Sequence, residues 1–192
     1  LQFYFMVKKR TCIFISGYGT NLKYLINNSR NQNFPIRISL VISNNKRAKG
    51  ILYAKKNSIP YLVINTNKRN FENLILKELK KYKISLICLA GYMKIISKKF
   101  LNAYGKKIIN IHPSLLPKFK GLNTFKRILK NKEKKTGCTV HFVNEKLDGG
   151  AKIIQKSFFI NKNDNIKILK AKTQILEYKA FSEAIIKIYR YN

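Results

Sequence analysis

Acid is what this sequence lacks most: against 40 Lys plus Arg it carries 8 Asp plus Glu, a formal net charge of +32 over 192 residues. Tryptophan is absent, and only 9 Gly, 4 Pro, 3 Cys, 2 Met and 2 His are present. So little Gly and Pro, with no repeat and no low-complexity stretch, excludes collagen-like and linker-rich architectures. No apolar run approaches the roughly 18 residues of a membrane span, so no membrane association is expected. The opening Leu1-Gln2-Phe3-Tyr4-Phe5-Met6-Val7 is apolar but short, and its basic residues follow the run instead of preceding it, unlike a signal peptide. Cys12, Cys88 and Cys138 are odd in number and have no metal-ligand spacing. They argue against a disulfide framework or a metal centre and for a reduced, cytoplasmic protein.

What is present suffices for a core. Apolar residues make up 45% of the chain, including 12 Phe and 11 Tyr, and this length suits one domain. Residues 6–192 read as that domain, with 1–5 an N-terminal extension ahead of Met6. The basicity invites a nucleic-acid reading, but the lysines are dispersed in small clusters such as Lys8-Lys9-Arg10, Lys55-Lys56, Lys106-Lys107 and Lys134-Lys135. Phosphate tracks need cations along one face. The abundance of Lys, Asn and Ile is what an AT-rich coding sequence favours, so compositional drift is the preferred explanation and specific nucleic-acid binding is disfavoured.

The apolar pattern alternates between short β-branched runs and segments of helical period. Strands are expected at Thr11–Ser16, Ile36–Ser43, Tyr61–Ile64, Ser85–Ala90, Lys107–Ile111, Cys138–Val143 and Ile153–Ile160. Helices are expected at Asn21–Asn28, Ala48–Asn57, Phe71–Tyr82, Ser97–Tyr104, Leu122–Asn131 and Ile166–Tyr189. Strand and helix alternate through the first half, which predicts an open, mostly parallel twisted α/β sheet of about seven strands with helices on both faces. The last two strands follow one another without a helix and predict an antiparallel addition in the C-terminal part.

Three constellations could carry chemistry. Gly17-Tyr18-Gly19-Thr20-Asn21 joins the first strand to the first helix; it suits an anion at the helix N-terminus, or equally an ordinary turn capped by Thr20 or Asn21. It is not a full dinucleotide fingerprint, since Lys23 follows Leu22 where a third glycine is needed. Asn110 and His112 lie two apart at the end of a strand, so both project to one side, beside Pro113 and at the end where α/β sheets bind ligands. A structural histidine is the alternative. Asp148, in Leu147-Asp148-Gly149-Gly150, is the candidate partner, expected to favour the charged imidazole; a turn aspartate is the alternative there.

The segments Ser16–Leu22 (SGYGTNL), Ile87–Ile96 (ICLAGYMKII), Ile109–Leu122 (INIHPSLLPKFKGL) and Gly137–Gly150 (GCTVHFVNEKLDGG) together resemble the phosphoribosylglycinamide formyltransferase family, in order and at family spacing from about Met6 to the last helix. The resemblance implies a Rossmann-like formyltransferase fold for 6–192. It also implies metal-independent transfer of a formyl group from 10-formyltetrahydrofolate, as co-substrate, to glycinamide ribonucleotide (GAR) in purine (IMP) biosynthesis, by a monomer or homodimer. Asn110, His112 and Asp148 match the catalytic trio. Gly19, Thr20 and Asn21 match the ribonucleotide phosphate loop, and Glu177, with Gln174, Ile175 and Leu176 beside it, the GAR side. Met93, Lys94, Ile95 and Ile96, then Asn144, Glu145, Lys146, Leu147 and Asp148, match the folate-lining segments, with Asn110 also reaching folate. Lys68, or Arg69 if the alignment slips by one, matches a cation near the folate glutamate tail.

The chain departs from the family pattern at Tyr18 and Lys94, and at Asn123 and Phe125, where histidines are usual. Methionyl-tRNA formyltransferase and formyltetrahydrofolate deformylase share the fold and the trio, but the first carries an extra C-terminal domain and the second an N-terminal regulatory one. A non-catalytic nucleic-acid module is the alternative from outside the class, and predicts binding with a steep salt dependence.

Overall fold

The computed structural model describes residues 7–190. The expected extension at 1–5 lies outside the described residues. Strands β1 (Lys9–Ile15), β2 (Ile36–Ser43), β3 (Tyr61–Val63), β4 (Leu86–Leu89), β5 (Lys107–His112), β6 (Lys135–Phe142) and β7 (Lys152–Phe159) form one sheet in the order β3-β2-β1-β4-β5-β6-β7. Pairings from β3 through β5 are parallel, and β6 and β7 add antiparallel. The helices are α1 (Thr20–Ser29), α2 (Ile51–Lys56), α3 (Phe71–Lys81), α4 (Lys98–Tyr104), α5 (Thr124–Lys130) and α6 (Ile166–Arg190).

Period-two alternation sorts the central strands between two cores. Ile13 and Ile15 of β1, Leu86 and Cys88 of β4, and Ile109 and Ile111 of β5 pack with α1, α2 and α6. Cys12 and Phe14, Ile87 and Leu89, and Ile108 point the other way, onto α3 and α4. Both faces of these strands are dry, which is why they read as continuous apolar runs. Each fully buried Ile or Leu contributes roughly 1.5–3 kcal/mol. Cys12 and Cys88 belong to opposite faces of neighbouring strands, and with Cys138 they are buried free thiols.

Two helices begin later than their apolar pattern suggests. Before α2, the bonds Ala48 N to Asn45 O and Ile51 N to Ala48 O are three-residue turns, and α-helix starts only after Gly50. Before α5, Asn123 takes a left-handed conformation (φ 56°), so Leu122 and Asn123 stand outside the helix. β5 extends through His112 instead of stopping at Ile111.

The chain reverses its direction of winding between β1 and β4, the adjacent strands from which crossovers leave toward opposite edges. Such a switch point opens a crevice beyond the C-terminal ends of the strands. The Gly17–Gly19 turn and the Gly91–Ile96 loop both leave the sheet there.

Candidate active site

Within β5, Ile109 and Ile111 are committed to one core, which turns Asn110 and His112 to the opposite side. β6 runs antiparallel alongside and sets His141 directly across from Asn110. The β6–β7 connection then brings Asp148 back over these side chains, with Asp148 itself in the left-handed region at φ 47°. The tight return requires Gly150, where a Cβ would stand 1.7 Å from the Phe142 carbonyl oxygen.

The Asp148 carboxylate is the hub. Oδ2 lies 3.3 Å from His112 Nδ1 and accepts from Gly121 N–H at 2.8 Å; Oδ1 accepts from Asn110 Nδ2 at 3.4 Å and lies 3.6 Å from His141 Nε2. Asn110 Nδ2 also meets His141 Nε2 at 3.2 Å. Burial pushes the Asp148 pKa up, but contacts with His141, the Gly121 N–H and His112 outweigh it, leaving the carboxyl below its ordinary value.

His112 is 6% exposed and is held from both ends, since its Nε2 donates to the Phe119 carbonyl at 2.9 Å. Burial pulls its pKa down, while Phe119 and Asp148 raise it; His141 and Arg127 lower it further, and the net shift is downward. Desolvation of a nearly enclosed imidazole thus works against the charge that Asp148 is expected to hold on it. His141 was not among the expected site residues. The available signal was that it is one of only two histidines in the chain.

The sequence-matched loops ring this cluster. Met93 and Ile95, 69% and 75% exposed, follow β4, with Lys94 exposed between them and Ile96 partly covered. Across the mouth stand Leu147 and Leu122, 55% and 76% exposed. In the 144–148 segment, Asn144 Oδ1 accepts from Lys146 N–H, and Glu145 pairs with Lys98 of α4 at 3.0 Å. The Gly91–Ile96 loop is tied to α3 through Ser97, whose hydroxyl donates to Glu72 at 2.6 Å. Lys68 and Arg69, both exposed, precede that first turn of α3.

On the other flank, the cap of α1 is Gly19 (φ 71°), not Thr20 or Asn21. A Cβ on Gly19 would lie 2.5 Å from Gly50 Cα, so both conformation and close packing demand glycine. Helix α6 supplies Gln174 Nε2 to Thr20 Oγ1 at 2.7 Å, and Glu177 Oε2 accepts from Asn21 Nδ2 at 2.9 Å. Burial raises the Glu177 carboxyl to about 6, against the Asn21 bond. Asn21 is 7% exposed, and its side-chain oxygen has no hydrogen-bond partner. Ile175 is exposed beside this network, whereas Leu176 packs against the core. Among the described residues, no group of three or more His, Cys, Asp or Glu is placed to hold a metal ion, and no helix is long and apolar enough to cross a membrane.

An amide, two imidazoles and a carboxylate thus converge at the strand ends of a doubly wound sheet. The family model described as formyl transferase matches residues 9–185, and the chain belongs to that family. Within it, the chain is similar to phosphoribosylglycinamide formyltransferase of Haemophilus influenzae, 41% identical over 90% of this chain and 84% of that protein. It is also 39% identical to human trifunctional purine biosynthetic protein adenosine-3, over 93% of this chain and 18% of that longer one. Among solved structures, glycinamide ribonucleotide transformylase 1 from Symbiobacterium toebii superposes with a TM-score of 0.89 at 34% identity, covering 93% of this chain and 86% of that one.

Proposed function

We propose that this formyltransferase moves the formyl group of 10-formyltetrahydrofolate to the primary amine of glycinamide ribonucleotide, giving N-formyl-GAR and tetrahydrofolate for purine biosynthesis. The observation that carries the reading is the convergence of Asn110, His112, His141 and Asp148 between two differently built flanks. The glycine turn with the α1 N-terminus suits a phosphate. The exposed apolar rim of Met93, Ile95, Leu122 and Leu147 suits a planar ring.

Attack of the amine nitrogen on the formyl carbon places negative charge on the formyl oxygen. The Asn110 amide and the His112 ring are the donors for it. His112 Nε2 is engaged by Phe119 O, so donation to substrate requires the Phe119 segment to release that bond. As the intermediate collapses, the bond from carbon to the folate nitrogen breaks. The proton lost by the amine passes through His112 or a water to that nitrogen. Asp148, beside Nδ1, stabilises positive charge on the ring as Nε2 donates to the oxyanion.

Lys68 or Arg69 meets the folate tail, and Glu177 with Gln174 faces the GAR side. The test is to follow tetrahydrofolate release from 10-formyltetrahydrofolate with glycinamide ribonucleotide, with tRNA, and with neither acceptor. Only the first mixture should respond; release without an acceptor, or with tRNA alone, would overturn the proposal.

A further inference from the structure

The two flanks of the crevice are joined by one side chain. β1 and β4 pair in parallel from Thr11/Leu86 to Phe14/Leu89, and the bond from Ala90 N to Phe14 O continues that ladder. Beyond it the strands lead into separate loops. There the Ser16 hydroxyl accepts from Met93 N–H at 2.8 Å, so a side chain supplies the next rung. The hydroxyl proton goes to Asn44 Oδ1 at 2.6 Å. A serine hydroxyl has one proton to give, and both of these bonds are met only when it is correctly turned.

The backbone around it is equally committed. The Ser16 carbonyl accepts from Asn45 Nδ2 at 3.0 Å, and the Gly17 carbonyl accepts from Gly50 N–H at 3.0 Å. Three crossover loops, after β1, β2 and β4, therefore meet at Ser16. The turn that begins one residue later carries Gly19, Thr20 and Asn21, and the loop held by Met93 carries the 93–96 segment. Residues 77 apart in sequence thus share one hydrogen bond between the residue 16–21 turn and the residue 91–97 loop.

We infer that Ser16 is a positioning residue that couples the ribonucleotide and folate subsites, so that occupancy of either one tightens the other. This rests on the assignment of those two loops to those two substrates. A phosphate that orders the Gly17–Asn21 turn fixes the Ser16 hydroxyl and, through it, the backbone at Met93. A folate ring that orders the Met93 loop acts back along the same bond. Coupling of this kind is reciprocal by linkage. One exposed hydrogen bond sets its size at roughly two- to tenfold in affinity.

The experiment uses a pair that cannot react: tetrahydrofolate, which carries no formyl group, and glycinamide ribonucleotide. The Kd of tetrahydrofolate is measured by calorimetry with and without saturating ribonucleotide, on the full chain. In the unsubstituted protein the ribonucleotide should tighten tetrahydrofolate several-fold. Ser16→Ala should bring that ratio close to one, and Ser16→Thr, which keeps the hydroxyl, should restore it. A merely structural role would weaken both measurements together and leave the ratio unchanged.

Asn44→Ala removes only the acceptor that orients the hydroxyl and should give an intermediate ratio; it is the deciding variant if Ser16→Ala does not fold. A ratio of one in the unsubstituted protein, or a ratio unaltered by Ser16→Ala or, in its place, by Asn44→Ala, overturns the coupling while leaving the substrate assignment standing. Failure of the unsubstituted protein to bind either compound overturns the substrate assignment itself.

Discussion

Asp148 Oδ2 stands 3.3 Å from His112 Nδ1, yet His112 titrates below an ordinary imidazole. The carboxylate does not belong to His112 alone. It also accepts from Gly121 N–H and Asn110 and faces His141, so its charge is shared while the cost of desolvating the ring falls wholly on His112.

Asp148→Asn keeps the size of the side chain and removes its charge. Turnover should fall by roughly 10²–10⁴-fold, the range associated with a positioned acid or base, while both substrates still bind. Steady-state kinetics and calorimetry check this together, and a kcat near that of the unsubstituted enzyme would contradict the role given to Asp148.

The lowered pKa of His112 has a definite sign in stability. Between its folded value and the ordinary 6.5, the unfolded chain binds more protons than the folded one, so stability rises with pH there and is lost on acidification. His112→Gln should make the urea midpoint less sensitive to pH between about 7.5 and 5.5; an unchanged slope would refute it.

Glu177 runs in the opposite direction. Its carboxyl is raised from 4.5 to about 6, so the penalty for ionising it appears as pH rises through that window and is fully present at neutral pH. Glu177→Gln should stabilise the protein by about 1–2 kcal/mol at pH 7.5 and by little at pH 4. It should also weaken glycinamide ribonucleotide binding. Denaturant midpoints at the two pH values and one titration test all three statements.

His141 touches Asn110 and Asp148 without reaching the crevice mouth, being 2% exposed. His141→Asn should lower kcat by roughly 10- to 100-fold, the worth of one hydrogen bond to a charged group, with little change in either KM. A change confined to KM would show that it contacts substrate instead.

The excess of lysine has a kinetic consequence if both substrates are anionic. Attraction over the whole surface should speed capture and weaken with salt. Raising NaCl from about 20 to 500 mM should lower kcat/KM for both substrates while leaving kcat nearly constant. A flat kcat/KM would leave the charge without a role in capture.

The sheet was readable because its central strands are apolar on both faces: each run from Thr11 to Ile111 ended within a residue or two of its observed strand. That Asn110 and His112 face one way is legible because they stand two apart in a strand, whereas Asp148 is only one of two readings of an Asp-Gly loop until the β6–β7 connection brings it over them. His141 was not legible. Within Cys138–Val143 it reads, with Thr139, as one of two polar residues in an otherwise apolar strand, and only the antiparallel register with Asn110 turns it toward the carboxylate. The enclosure of His112 was equally hidden. Proximity to Asp148 can be guessed from motifs, but the enclosure depends on chain that folds back from Phe119 and Gly121.

Helix α6 clasps α1 through Gln174–Thr20, Glu177–Asn21, Ser182–Asn28 and the stacked rings of Tyr24 and Tyr178, centroids 3.6 Å apart. The hydrogen-bonded partners lie 154 to 156 residues apart. During synthesis, the strands around β1 and β4 are complete long before α6 leaves the ribosome. A growing chain therefore completes its glycine-turn flank last, and a chain cut before Gln174 would leave Thr20, Asn21 and Asn28 without these partners and strip Ala180, Phe181, Ala184 and Ile185 from the core over β1, β4 and β5.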